Sequence, residues 1–306
     1  MVQKTDLKKG IFFAFVTSII SGVAIFYSKI SLVKITPIAL TTSRNLLVAF
    51  LFVAYFILSG KLKKIKELKK KELINLVLIG IVGGALPFYL FFTGLSMVGA
   101  QTANLIHKTL FIWVSFLAIL FLKEKPNAGY WLGFILVVIA SFYFTSFKIS
   151  FGRGELMVLA ATLLWAGENI LAKKILARVT SEMVGLFRMG IGSSILLLSL
   201  IINGQLNSLL TLNNQQLTTV LIGGSILFFY INFWYKALRY APASLVALML
   251  TFSLVIGNLL TVRFTEIKII TNEIYASLLI FAVMILFIIQ FFNIKSYLKN
   301  FIDLKQ

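Results

Sequence analysis

The sequence predicts an all-α membrane protein, with ten transmembrane helices arranged as two inverted repeats of five. Three observations lead there. The 306-residue chain is 59% hydrophobic with a mean hydropathy of +0.97, more apolar sequence than a soluble core can hold without large exposed patches. Its apolar residues gather into ten segments, each near the ~20 residues needed to cross a hydrocarbon core of roughly 30 Å. Residues 8–49 and 152–193 are one unit written twice at a spacing of 144. Lys9-Gly10 falls on Arg153-Gly154, Ser18 on Thr162, Lys29 on Lys173, Thr36 on Thr180 and Arg44 on Arg188. Further on the spacing is 143, with Leu95 on Leu238, Ala100 on Ala243 and Leu105 on Leu248.

In the first half the spans lie near 10–33, 37–58, 73–97, 99–122 and 128–147. Met1–Lys9 followed by an apolar run has the outline of a secretory signal, but nine more apolar segments follow, so it is read as a retained first span. Span 3 carries Gly80, Gly83, Gly84 and Pro87, small residues that permit close helix approach and a proline that can kink its helix. The second-half spans lie near 154–176, 180–203, 216–239, 241–262 and 272–292, with Gly223 and Gly224 in span 8. Connections are short, among them Ile35-Thr36-Pro37, Lys125-Pro126-Asn127 and Tyr240-Ala241-Pro242. The expected organisation is a first repeat over 1–147, a second over 148–292, and a tail over 293–306. The tail mixes apolar and basic residues at helical spacing, suited to the inner leaflet.

Basic residues orient the chain, because Lys and Arg are retained on the cytoplasmic side. With the N-terminus inside, 20 of the 29 Lys and Arg are cytoplasmic, seven of them between Lys61 and Lys71. Six lie opposite, and Arg44, Lys108 and Arg188 lie inside spans. Both termini are therefore expected in the cytoplasm, in an inner or plasma membrane. The net charge of +19 reads as a topogenic and anionic-lipid signal rather than as nucleic-acid binding. The 29 Phe, four Trp and ten Tyr suit lipid-facing helices and interfacial rings. With no cysteine, disulfides, thiolate metal sites and thiol nucleophiles are excluded. Five spans per half is an odd number, so the repeats must be inverted, which places a substrate site near the midplane between them.

The chain resembles the drug/metabolite transporter superfamily, specifically its EamA type, over nearly its whole length. The duplicated ten-span layout and the basic residue in the second span of each half, Arg44 and Arg188, carry the likeness. The stretch LAILFLKEKP at 117–126 is similar to the family's leucine-rich ending closed by Gly-Glu; Glu124 matches the Glu and Lys123 replaces the Gly. Its counterpart TVRFTEI at 261–267 keeps Glu266 only. Trp165-Ala166-Gly167 with Lys173 resembles a Trp-Gly…Lys pattern, where the first half has Ser21-Gly22 and Lys29. The prolines usual in the middle of spans 4 and 9 are absent near Phe111 and Ser253, so any bend there must arise otherwise. The resemblance implies a secondary transporter with a central cavity lined by spans 1–4 and 6–9.

A charged group in hydrocarbon costs at least about 2.5–3.5 kcal/mol, so each one needs a reason. On span 4, Gln101, Asn104, Lys108 and Ser115 share one helix face. Their span 9 counterparts are Ser244, Ala247, Thr251 and Asn258, three of them polar. Two related polar stripes fit a midplane cavity; helix–helix hydrogen bonding is the plainer alternative. Lys108 lies too deep to snorkel and fits either attraction of an anionic or carboxylate-bearing substrate or a structural bond to carbonyls or Glu168. His107 points elsewhere and suits packing better than a proton relay.

Glu168 and Arg188 sit about equally far from the turn near Arg178, which fits a buried ion pair or a protonatable coupling site. Arg44 has Ala24 where Arg188 has Glu168, and either snorkels or adds positive potential to the cavity. Tyr89, Trp165, Tyr230 and Trp234 are candidate cavity aromatics. The function expected is secondary active transport of a small polar, anionic or zwitterionic metabolite by alternating access, as exporter or exchanger. A scaffold or channel-like protein is the alternative. Deep ionisable groups are too few for a metal site or a nucleophile–base pair, so an enzyme, a catalytic residue, a metal or a cofactor is not expected. Without a GxxxxGK[ST] loop, ATP-driven transport is not expected either.

Overall fold

The computed structural model describes residues 4–98, 103, 106–143, 152–264, 271–272 and 274–286. Gln101, Asn104, Glu266, the 293–306 tail and the side chain of Lys29 lie outside them. Among the described residues every regular element is helical. Seven helices are long and apolar enough to cross a membrane: Asp6–Ser28, Pro37–Leu58, Lys70–Met97, Arg153–Ile175, Ser181–Ile202, Asn214–Tyr240 and Ala243–Phe264. They fall on spans 1, 2, 3, 6, 7, 8 and 9. Shorter apolar helices, Ile106–Leu122, Ala128–Ser141 and Ile274–Leu286, fall on spans 4, 5 and 10.

Local signals set the helix ends. Pro37 opens span 2 at a position where its missing N–H leaves no bond unmade. Asn213 and Gln216 form a reciprocal capping box at the start of span 8, with Gln216 N–H donating to Asn213 Oδ1 at 2.9 Å and Asn213 N–H to Gln216 Oε1 at 3.0 Å. The Gln216 amide also donates to the Lys34 carbonyl at 2.7 Å, tying span 8 to the loop between spans 1 and 2. Large apolar side chains such as Phe50, Phe116 and Leu221 face outward, as they would toward lipid.

The two halves pack by the same rules. Span 1 lies along span 8, and its counterpart span 6 lies along span 3. Span 2 packs on span 7, and span 4 meets the first part of span 9. Exchanging the halves turns the first two contacts into each other and leaves the contacts of spans 2 with 7 and 4 with 9 as they are. The equivalence extends to single residues. A Cβ on Gly10 would stand 2.7 Å from Ala241 Cβ, and one on Gly154 would stand 2.8 Å from Met97 Cβ, so the start of each half's first span presses on the end of a third span.

Span 3 is not a uniform helix. Gly80–Ala85 forms a π turn between two α segments, Lys70–Ile79 and Leu86–Met97. Pro87 supplies the cause, since it has no N–H for the Gly83 carbonyl four residues earlier. At this turn spans 3 and 7 approach so closely that a Cβ on Gly84 would stand 2.0 Å from the Arg188 carbonyl oxygen. Gly84→Ala is therefore expected to lower stability by about 2 kcal/mol by forcing the two backbones apart. Gly190→Ala, with nothing within 4 Å of the added carbon, should be close to neutral; thermal unfolding of both variants in detergent checks the pair.

Span 4 ends at Lys123, the single non-glycine residue with positive φ (55°) among those described. This left-handed residue is where the family-type sequence has Gly, which adopts it freely. Lys123→Gly is expected to raise stability by about 1 kcal/mol, read as an increase in unfolding temperature.

Candidate functional site

Spans 4 and 9 are each interrupted, at Thr109 and at Thr251–Phe252, without a proline. In span 4 the ladder tightens at Thr109, whose N–H bonds the Ile106 carbonyl at 3.1 Å while Ile112 N–H bonds the Thr109 carbonyl at 2.9 Å. In span 9, Thr251, Phe252, Leu254 and Val255 all donate to the residue three before them, at 3.0–3.1 Å. Each break carries a threonine hydroxyl that bonds the carbonyl three residues back: Thr109 Oγ1 to Ile106 at 2.7 Å and Thr251 Oγ1 to Leu248 at 2.6 Å. Side chains of this type divert a carbonyl from the helix ladder and bend it. The interruption, which the absence of proline required to arise otherwise, comes here with a threonine.

Lys108 and Ser253 meet across the two breaks. The Lys108 ammonium donates to Ser253 Oγ at 2.6 Å, and both residues are buried. No carboxylate lies within 4 Å of Lys108 among the described residues. A small cavity at this point is lined by Ser21 of span 1, His107, Lys108 and Phe111 of span 4, and Ala247, Leu250 and Thr251 of span 9. His107 is seated among rings, 5.0 Å from Trp165 and 5.3 Å from Phe91 between centroids. Its Nδ1 is buried and has no hydrogen-bond partner among the described residues.

The second half also carries a buried polar cluster. Glu168 and Arg188 are 1% and 6% exposed at the side chain, with Arg188 Nη1 3.9 Å from Glu168 Oε2. Tyr235 joins them: its hydroxyl donates to Glu168 Oε1 at 2.6 Å and accepts from Arg188 Nη1 at 3.2 Å. The Gly83 carbonyl, left free by Pro87, accepts from Arg188 Nε and from Trp165 Nε1, both at 3.1 Å. The guanidinium also lies over the rings of Phe88 and Tyr235. Beside it Trp234 Nε1 donates to Asn169 Oδ1 at 3.0 Å, and Tyr230 stacks on Trp234.

Arg44, the repeat counterpart of Arg188, is equally buried but thinly bonded. Its Nη1 donates to Ser28 Oγ at 2.9 Å, and its Nε has no partner among the described residues. The adjacent Asn45 reaches the Gly84 carbonyl at 3.4 Å.

The residues expected at the site are thus divided. Lys108 and Thr251 line the central cavity, with Trp165 one ring away. Ser115 is turned to Tyr130 of span 5. Ser244 is bonded to Glu124 at the span 9 N-terminus. Asn258 donates to Ser277 of span 10 at 3.1 Å, and Tyr89 is 44% exposed on the outer face of span 3. The sequence reading missed Ser253 and Tyr235. Ser253 stood in the sequence at the place of the absent proline; nothing in the sequence singled out Tyr235. Among the described residues no three of His, Asp or Glu gather to hold an ion.

The model of the EamA-like transporter family matches this chain twice, over residues 8–146 and 152–289. A solved crystal structure shares the fold with a TM-score of 0.72 and 15% identity, over 93% of this chain and 96% of that one. No curated protein matches the sequence.

Proposed function

This chain belongs to the EamA-like transporter family, a family of membrane transporters rather than enzymes, and from that premise we propose what it carries and how. It is a secondary transporter of a small anionic or zwitterionic metabolite, working by alternating access as an exporter or exchanger. Its two halves are inverted repeats with both termini in the cytoplasm, anionic lipids against its lysine-rich face, and the cell's inner or plasma membrane as its site.

One observation carries this reading: a buried lysine at the junction of two broken helices, bonded to a serine and to no carboxylate within 4 Å among the described residues. An ammonium has three donors, and burial without a counter-charge is costly. A substrate carboxylate or phosphate would supply that charge. Broken helices at mid-depth are where transporters of inverted-repeat type hold substrate, since freed backbone groups there can face a ligand. Thr251 and Ser21 would complete the polar wall, Trp165 and His107 would bound it, and Arg44 would add positive potential toward the opposite end. Glu168 and Arg188 act as a fixed pair, each satisfied by the other and by Tyr235; proton coupling at Glu168 is the second reading and would require opening that pair.

Thermal stabilisation by a metabolite panel sorted by charge, followed by flux into proteoliposomes, tests the proposal. Stabilisation by anions or zwitterions with saturable uptake is expected. Stabilisation by cations alone would overturn the assigned charge, and non-saturable flux would make the protein channel-like.

A further inference from the structure

At the lysine-rich end of the bundle the corner between spans 8 and 9 is gripped from two sides. Glu124, just past the end of span 4, accepts from the backbone N–H of Ala243 at 2.7 Å, from Ser244 N–H at 3.2 Å and from the Ser244 hydroxyl. A carboxylate on the free N–H groups of a helix start is favoured by both hydrogen bonding and the helix dipole. Lys173, near the end of span 6, donates to the Leu238 and Ala241 carbonyls at 2.6 and 2.7 Å, which are the free acceptors at the end of span 8. The Glu124 contacts cross from the first half of the chain to the second; those of Lys173 stay within the second.

Two further observations set Glu124 apart from an ordinary cap. The residue before it is Lys123 in the left-handed region, and a strained non-glycine conformation is held only where its surroundings demand it. Here it turns the chain so that Glu124 points at span 9. Secondly, Ala243 and Ser244 begin the same helix segment that carries Ala247, Leu250 and Thr251 to the central cavity. This segment cannot swing away from span 4 while the carboxylate holds its first turn.

We propose that Glu124 is a latch: its bond to the start of span 9 holds the cytoplasmic end closed, and the conformer open to the cytoplasm forms when that bond breaks. Glu124 is a positioning residue that need not touch substrate. The orientation used here rests on the topology proposed above, but the latch does not rest on what Lys108 binds.

The native chain has no cysteine, so single cysteines can be placed without background. Ala247→Cys, on the cavity wall, would be labelled with a membrane-impermeant maleimide from either side in oriented membrane vesicles. Adding Glu124→Gln, which keeps the shape and removes the charge, should raise the labelling rate from the cytoplasmic side at least tenfold. Ser244→Ala, which removes one of the three contacts, should give a smaller rise and serves if Glu124→Gln fails to fold. A disulfide between Glu124→Cys and Ser244→Cys should block cytoplasmic labelling of Ala247→Cys, read at that residue by peptide mass spectrometry because the other two thiols are themselves labelled once reduced. Unchanged cytoplasmic labelling in folded Glu124→Gln and Ser244→Ala would overturn the latch and leave Glu124 a plain helix cap. A rise on the opposite side would also overturn it, by placing the latch at the other face. Because the readout is a labelling rate, it stands even if no anionic substrate is found.

Discussion

Lys108→Met should make the protein more stable and less able to bind substrate. The side chain is buried at the junction of spans 4 and 9, with Ser253 as its hydrogen-bond partner. Methionine fills a similar volume without a charge, so the cost of burying an ammonium is removed; the gain expected is about 1–2 kcal/mol. At about 2.1 cal/mol/K of unfolding entropy per residue, a chain of 306 residues shifts by about 1.5 °C per kcal/mol, so the unfolding temperature should rise by about 2–3 °C. The same change deletes the charged donor proposed to meet the substrate. Hydrogen bonds to charged groups contribute about 1.5–3 kcal/mol, which converts to a loss of affinity of roughly 10- to 150-fold. Substrate-induced thermal shifts and proteoliposome uptake measure the second effect, and unfolding without ligand measures the first. Opposite signs are the signature of a functional charge. Lower stability with unchanged affinity would make Lys108 a structural residue and remove the basis for the central site.

Arg188→Met and Glu168→Met are each expected to cost about 3–5 kcal/mol, because either one leaves its partner as an uncompensated buried charge. The pair is 3.9 Å apart with both side chains at most 6% exposed, so solvent offers little relief. Making both changes together should recover most of the loss, since apolar replacements of a whole buried pair are often near neutral. The difference between the double variant and the sum of the singles is the coupling energy, and unfolding in detergent measures it. The recovery should be incomplete. Arg188 Nε also donates to the Gly83 carbonyl, and Tyr235 gives its proton to Glu168, so the double variant leaves Tyr235 without its acceptor. A double variant as damaged as the sum of its parts would mean that the two charges act independently.

These two charged sites differ in how far the sequence revealed them. The reading of Lys108 needed only depth in an apolar segment. Its partner Ser253 was visible only as the place of a missing proline, because a threonine-driven break has no fixed residue signature. Ser115 shares a helical face with Lys108 on an unbroken helix, yet it bonds Tyr130 of span 5 while Lys108 bonds Ser253 of span 9. Ser244 looked like part of a polar stripe and is held by Glu124, which lies 120 residues away. The asymmetry between Arg44 and Arg188 was partly legible, since Ala24 stands where Glu168 would be. That Tyr235 and the Gly83 carbonyl complete the Arg188 site was not.

The sequence by itself determined the apolar segments, their duplication, the bias of basic charge and the family. Hydropathy is additive along the chain, and a lysine in hydrocarbon is costly wherever it sits, so neither signal needs a partner to be read. Tertiary structure alone decided which donors meet the carbonyl that Pro87 frees, which polar groups face one another across spans, and that Glu124 grips the start of span 9. Each of these depends on two or more segments meeting at hydrogen-bond distance. Such contacts are set by packing between helices remote in sequence, and residue type along one helix does not encode them.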